Sequence, residues 1–142
     1  PDGEPVTPPK DLPTVKDNGK GKAPTITVPD GKAPAKLVGQ PLIKGTGPKV
    51  KKTDGIVVNY TAYGWKSKKE LVQNYATGPE PGTLNSLIPG WQKGLVGQPV
   101  GSRVLLIVPP SEGYPKGNES PSIPAGETLV YVVDILFASD AQ

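Results

Sequence analysis

The sequence predicts an α+β domain, in which a twisted antiparallel sheet of about five short strands packs against one short helix. Three observations predict this class. The 142 residues include 18 glycines and 19 prolines, an excess that favours short strands joined by turns over a helical bundle. Several segments alternate apolar and polar residues with the two-residue period of a strand. Only residues 86–98, SLIPGWQKGLVGQ, carry the signals of a helix.

The N-terminal quarter of the chain differs in composition from the rest. We expect residues 1–35 to form a Pro/Lys-rich extended segment or linker, and residues 36–142 to form the folded domain. Residues 1–23 contain five prolines and offer too little apolar surface to offset the entropy of ordering, which predicts a disordered or extended tail. Residues 23–28, APTITV, alternate and indicate an edge strand.

Four segments of the domain carry strand patterns. Residues 37–43 predict a strand that Pro41 restricts to an edge or a bulge. Residues 103–108 predict a buried strand that ends at two prolines. Residues 56–62 and 128–137 alternate, which places two sets of side chains on one face each: Ile56, Val58, Tyr60 and Ala62; Leu129, Tyr131, Val133, Ile135 and Phe137. The opposite face of the last strand is also mostly apolar, so we expect it to be partly covered.

The helix signals surround a single tryptophan. Pro89 suits the first helical position, where its missing N–H is not needed. Trp91 and Leu95 are four residues apart and share a face. Gly97 can end the helix in a left-handed conformation. We therefore expect Trp91 to fill the space between this helix and the sheet.

Composition excludes several classes of chemistry. The chain has no histidine, cysteine or methionine, which rules out disulfides, thiol nucleophiles and the common histidine base. An activity must then work through shape, hydrogen bonds and desolvation, and we expect no cofactor and no metal. Fifteen lysines and one arginine give a net charge of +3. The lysine clusters at 49–52 and 66–69 lack interleaved arginine and aromatic residues, so they indicate solvated loops rather than a nucleic-acid site.

Four motifs together resemble the FKBP-type peptidyl-prolyl cis-trans isomerases. They are VVNYTA (57–62), LIPGWQKGLVGQPVGSRVLLIVPP (87–110), EGYPKG (112–117) and IPAGETLVYVVDIL (123–136). They stand in the family's order and spacing, within a resemblance that covers residues 36–138. The resemblance implies an FKBP-like half-open sheet wrapping the helix, with an apolar pocket between them. It also implies an isomerase that acts on proline-containing polypeptides as a monomer.

The resemblance implies a site residue by residue. Trp91 is the floor on which a proline ring rests, and the Ile88 N–H and Tyr114 hydroxyl are donors to ligand carbonyls. The implied catalytic residues are Tyr60, Ile88, Trp91 and Tyr114, and the implied substrate-binding residues are Leu71, Val72, Leu87, Ile123 and Tyr131. Ile123 stands at the tip of a flap, residues 117–126, where exposure is expected. The plainer interpretation is that Trp91 and Tyr60 are core residues and that Tyr114 is a turn aromatic.

The sequence departs from the family at three places. A Phe-Asp pair follows the first hairpin in the family. Here Leu71 and Val72 stand in its place if one residue is inserted, and Glu70 and Leu71 do so without a gap. The family's next aromatic has no counterpart in residues 76–83, which have the composition of a Pro/Gly loop, and Tyr131 replaces a phenylalanine. Loss of the aspartate implies weakened binding of macrolide ligands and reduced activity. The alternative function is an FKBP-like binding or chaperone module with weak or no catalysis.

Two features bear on location. The chain begins at Pro1, and we expect a mature or trimmed product. The stretches GKAPTITVP and KAPAKLV resemble the leader of envelope-exported bacterial members. We therefore expect a secreted protein or an envelope-anchored lipoprotein that assists the folding of exported proteins.

Overall fold

The computed structural model describes residues 3–9, 11–19, 21–119 and 122–140. The strands in this part of the chain are β1 (Gly3–Pro5), β2 (Thr14–Lys16), β3 (Thr25–Thr27), β4 (Val38–Gly45), β5 (Asp54–Gly64), β6 (Glu70–Gln73), β7 (Glu80–Thr83), β8 (Arg103–Val108) and β9 (Leu129–Asp140). One α-helix, α1 (Pro89–Leu95), precedes β8, and two 3-10 turns span Leu84–Ser86 and Pro110–Glu112. No helix among these residues is both long and apolar enough to cross a membrane.

The main sheet is antiparallel and has the order β1-β4-β8-β9-β5-β6, with β7 also pairing with β5. The predicted α+β class with one α-helix is confirmed. The sheet has more strands than the sequence predicts because β1, β6 and β7 add short edge pairings. In β4 the pairing with β8 shifts between Pro41 and Ile43, which confirms the bulge predicted at the proline.

Strands β8 and β9 lie at the centre of the sheet, and β8 and the part of β9 up to Ile135 are buried on both faces. On the inner face Val104 and Leu106 pack with Trp91 and Leu95 of α1. On the outer face Leu105 packs in a second apolar cluster, whose other fully buried members on the sheet are Ile107, Val130 and Val132. The predicted covering of the outer face of the last strand is confirmed.

The N-terminal segment supplies that covering. Strands β2 and β3 form a separate two-stranded sheet, and Ile26 and Val28 are buried in the outer cluster. The Trp65 indole N–H donates to the Gly31 carbonyl at 3.0 Å. The tail predicted at residues 1–23 is extended where β1 and β2 form, but β1 pairs with β4 and β2 pairs with β3, so disorder is wrong for these two segments. The boundary at residue 35 stays a prediction.

A β-bulge near the end of β9 changes which of its last side chains face the core. Val58 pairs with Ile135 and Val57 pairs with Phe137, so one residue of β9 between them has no partner. The extra residue turns the following side chains over. Phe137, predicted to face the core, is therefore 56% exposed, and Ala138 packs against the inner cluster instead.

Helix α1 begins and ends as predicted. Pro89 is its first residue, and Gly97 lies just beyond it with φ +86°. Gly90 has a packing role, because a Cβ there would lie 2.7 Å from Val108 Cγ1. The glycine lets the helix lie against β8, which sets the height of Trp91 above the sheet.

A buried ion pair lies on the outer face. Arg103 donates to the two carboxylate oxygens of Asp134 at 2.7 and 2.9 Å, and Asp134 is 2% exposed. The Tyr75 hydroxyl donates to the same carboxylate at 2.7 Å. Burial, and next the negative charge of Asp134, raise the pKa of Tyr75. Tyr75 follows β6, so this network also fixes the segment leading to β7.

Candidate active site

A cavity of about 370 Å³ lies between the inner face of the sheet and α1. Eight residues predicted for the site line it: Tyr60, Val72, Leu87, Ile88, Trp91, Tyr114, Ile123 and Tyr131. The remaining lining residues, which sequence analysis did not assign, are Ile56, Val58, Glu80, Pro81, Gly82 and Ser86. Ile56 and Val58 share the face of Tyr60, so the alternation of β5 contained the signal for both.

Three aromatic rings meet at the base of the cavity. The Trp91 ring contacts Tyr60 edge-to-face, with centroids 5.2 Å apart, and Tyr131 in the same geometry at 5.3 Å. Trp91 is 7% exposed, and its indole nitrogen has no hydrogen-bond partner among the described residues. The arrangement immobilises the tryptophan ring and leaves an apolar surface next to open space.

Tyr60 is held by an asparagine that sequence analysis missed. Asn74 follows β6 and is 1% exposed. Its side-chain oxygen accepts from the Tyr60 N–H at 2.7 Å, and its amide nitrogen donates to the Val58 carbonyl at 3.0 Å. Strand β7 pairs with β5 up to Val58, and β6 pairs from Thr61. The Asn74 side chain therefore fills the gap between the two strands and fixes the backbone beside the pocket wall.

The hydroxyls of Tyr60 and Tyr131 stay protonated at neutral pH. Burial raises the pKa of Tyr60, and the negative charge of Glu80 and the Tyr114 hydroxyl raise it further. The pKa of Tyr131 is also raised, first by burial and then by Tyr114 and Tyr60. A neutral phenol is a hydrogen-bond donor, so these two residues can donate to a carbonyl without carrying charge.

The start of α1 contributes Ile88 to the cavity lining. The Ile88 carbonyl accepts from the N–H groups of Trp91 and Gln92 at 3.0 and 3.2 Å. The Ile88 N–H donates to no other residue in the described part of the chain, as is usual ahead of a helix. The Gln92 side chain donates to the Leu87 carbonyl at 2.6 Å, which holds this turn in place.

Half-buried Tyr114 also lines the cavity.

Ile123 was expected to be exposed, but it is 4% exposed and packs in the inner cluster. The reason is a pair of reciprocal backbone hydrogen bonds between Asn118 and Ile123, each of 2.9 Å. These bonds turn the Ile123 side chain into the cavity.

The placement of Leu71 needs correcting. Ala62 pairs with Val72 and Tyr63 pairs with Glu70, so Leu71 is the extra residue of a bulge. Leu71 packs beside the core and does not line the cavity, whereas Val72 does. No aspartate lines the cavity among the described residues. Both alignments considered above thus agree with the structure that the family's carboxylate is missing.

Residues 76–83 are only partly a loop, because Glu80–Thr83 form β7. Pro81 and Gly82 concealed this strand from sequence analysis, since both are rare in sheets. Gly82 lines the cavity but adds no side chain to its wall. A Cβ built there would lie 3.7 Å from Leu87 Cδ2. The described residues contain no group of acidic, histidine or cysteine side chains placed to hold a metal ion.

Comparisons with known proteins agree with the geometry. The family model described as FKBP-type peptidyl-prolyl cis-trans isomerase matches residues 47–136. A probable FK506-binding protein of Corynebacterium glutamicum is 34% identical over 117 residues, which are 81% of this chain and 98% of that protein. The isomerase FkpA of Escherichia coli is 37% identical over 70% of this chain, but the match spans only 37% of FkpA. The crystal structure of FkpA superimposes with a TM-score of 0.67 at 33% identity, covering 78% of this chain and 52% of that one.

Proposed function

Because the chain belongs to the FKBP-type peptidyl-prolyl cis-trans isomerases, we propose that its cavity accelerates rotation about X-Pro bonds by desolvation. The observation that carries the proposal is the open cavity of about 370 Å³ whose lining includes Trp91. A proline ring fits an apolar surface of this kind. As in the family, the substrates are proline-containing polypeptides.

The peptide bond itself explains why such a pocket suffices. Rotation crosses a barrier of about 18–20 kcal/mol because the resonance of the C–N bond is lost at the midpoint. Charge separation in the amide also falls there, so the twisted amide needs less hydration than the planar one. An apolar cavity therefore penalises the planar ground state more than the twisted state, which is differential binding of the transition state. The step needs no proton transfer.

Donors at the cavity fix the orientation of the substrate. The unpaired Ile88 N–H donates a hydrogen bond to one substrate carbonyl, and the Tyr114 hydroxyl donates to a second. The Trp91 ring, which contacts Tyr60 and Tyr131 edge-to-face, supports the proline, and the two tyrosines form walls. Val72, Leu87 and Ile123 enclose the remaining apolar surface: all three line the cavity.

The test is a proline-limited refolding assay combined with an X-Pro tetrapeptide assay. We expect acceleration at micromolar protein, and we expect Trp91→Leu to lose most of it while remaining folded by circular dichroism. A folded Trp91→Leu variant with full activity would overturn the mechanism. Trp65→Leu provides the matched control, because Trp65 is buried in the outer cluster and does not line the cavity.

A second function is favoured by two features of the cavity: no aspartate lines it among the described residues, and Gly82 adds no side chain to its wall. Under this alternative the cavity is a binding or chaperone module that holds proline segments with weak or no catalysis. Proline peptides that quench tryptophan fluorescence, together with no acceleration of refolding, would select it. Trp65 is buried beneath the N-terminal segment, so quenching has to be compared with the Trp91→Leu variant.

The cellular setting is a further part of the proposal. We propose a secreted or envelope-anchored protein, acting as a monomer in the folding of exported proteins, with only weak affinity for macrolides. The cysteine-free composition and the export-like N-terminal stretches support the location. Protease accessibility in intact cells tests the location, and sedimentation tests the monomer. A calorimetric titration with the macrolide FK506 tests the affinity.

A further inference from the structure

One carboxylate stands at the cavity. Glu80 is the first residue of β7, and it pairs directly with Val58 of β5. Opposite residues of an antiparallel pair project to the same face of the sheet. The Glu80 side chain therefore shares the face of Val58, and both residues line the cavity. The neighbouring Pro81, which pairs with Val57 on the alternate face, also borders the cavity, whereas Val57 does not.

Glu80 is the only cavity-lining residue, among those described, with a side chain that is charged at neutral pH. Its charge acts on the cavity, because it contributes to raising the pKa of Tyr60. The described salt bridges do not include it. Glu112, near the flap, differs in this respect: Lys93 neutralises it at 2.9 Å. The cavity thus carries a local negative charge on a protein of net charge +3.

We propose that Glu80 makes the cavity select X-Pro segments that carry lysine or arginine beside the proline. The inference rests on the proposed function, since it names the substrate class of the same site. A proline ring on Trp91 brings its flanking residues to the rim, where a cationic side chain meets Glu80 and an anionic one is repelled. Glu80 is exposed, so the attraction has the strength of a surface ion pair, about two- to fivefold in an equilibrium constant.

The charge of the whole protein makes the selection short in range. A net positive protein repels a cationic substrate at long distance, whereas Glu80 attracts it only at contact. Salt screens both effects, so the selection is best measured as a ratio between matched peptides. Norleucine matches lysine in chain length without the charge, and Glu80→Gln matches glutamate in shape without the charge.

The experiment measures kcat/KM for tetrapeptides with lysine, norleucine or glutamate before the proline, and for a second set with these residues after it. The lysine-to-norleucine ratio in the wild-type protein, divided by the same ratio in Glu80→Gln, cancels the difference in side-chain hydrophobicity. We expect this quotient to be about two to five in at least one set. It should approach one at high salt, and Glu80→Lys should reverse it in favour of glutamate.

Glu4→Gln is the matched control, because it removes the same charge from the exposed edge strand β1. Its quotient against wild type should be one. A quotient of one for Glu80→Gln in both sets at low salt would overturn the inference, as would an equal effect of Glu4→Gln. If no peptide is isomerised, the proposed function fails instead. The same quotient in dissociation constants, from fluorescence titration of the same peptides, then decides the role of Glu80.

Discussion

Replacing Asn74 tests whether its side chain holds β5 in place at the cavity. Asn74→Leu keeps a similar volume and removes both side-chain hydrogen bonds, to the Tyr60 N–H and the Val58 carbonyl. A buried polar group left without a partner costs about 1–3 kcal/mol, so two groups cost about 2–6 kcal/mol. Tyr60 is only half-buried, and a partly exposed group loses less than a fully buried one when its partner is removed. We therefore expect the free energy of unfolding to fall by about 2–4 kcal/mol.

Asn74→Asp separates the two hydrogen bonds. An aspartate keeps the acceptor for the Tyr60 N–H but can donate to the Val58 carbonyl only when protonated. Burial raises the pKa of such a carboxyl, so the folded variant binds more protons than the unfolded chain above about pH 4. Its free energy of unfolding should then fall as the pH rises. The Asn74→Leu variant should not share this added pH dependence.

The measurement is urea unfolding followed by tryptophan fluorescence, with tetrapeptide kcat/KM on the same samples. We expect Asn74→Leu to lose activity as well as stability, because the wall formed by Tyr60 loosens. A loss of stability below about 0.5 kcal/mol, which is typical of a surface substitution, would refute the argument. An Asn74→Asp variant whose stability rose with pH relative to wild type would also contradict it.

Three further predictions concern tyrosines and the buried ion pair. Tyr114→Phe should lower kcat/KM modestly and leave the urea midpoint nearly unchanged, because the side chain borders an open cavity; a large loss of stability would make Tyr114 a core residue. Asp134→Asn leaves the Arg103 guanidinium with only the exposed Asp17 carboxylate, 4.0 Å away, as a countercharge. It should cost up to about 3–5 kcal/mol by urea unfolding, whereas a cost below 1 kcal/mol would show that the pair is solvated. Raised tyrosine pKa values mean that stability is full below the unfolded value of about 10 and falls as the pH rises above it. Tyr75→Phe should therefore lower stability at pH 7 and flatten this alkaline decline in thermal melts, and an unchanged decline would contradict the assignment.

The central strands and the helix could be predicted because local pattern and tertiary position agree there. Residues 104–108 are apolar throughout and form most of β8, which is buried on both faces. Pro89 and Gly97 bound α1 as their backbone preferences require. The family resemblance implied eight of the fourteen residues that line the cavity, and three of these, Leu87, Ile88 and Trp91, belong to the motif around the tryptophan.

The errors have non-local causes. Bulges at Leu71 and before Phe137 depend on how two strands pair, and neither strand alone shows them. Strand β7 is fixed by backbone pairing with β5, which overrides its proline and glycine. The N-terminal residues gain order from the outer face of the sheet, to which Ile26 contributes only once the sheet exists. Composition averaged along the chain does not register such a contact.

The ion pair between Arg103 and Asp134 has a consequence for how the chain reaches this fold. Strands β8 and β9 carry apolar side chains on both faces. Shifting their pairing by one residue would therefore expose little additional apolar surface, and the hydrophobic effect alone discriminates weakly between the two registers. The two charged residues sit directly across from each other. A shift in register would separate the two charged side chains from each other while both remain buried. The ion pair thus specifies one register of β8 against β9, and it contributes more to the uniqueness of the fold than to its stability.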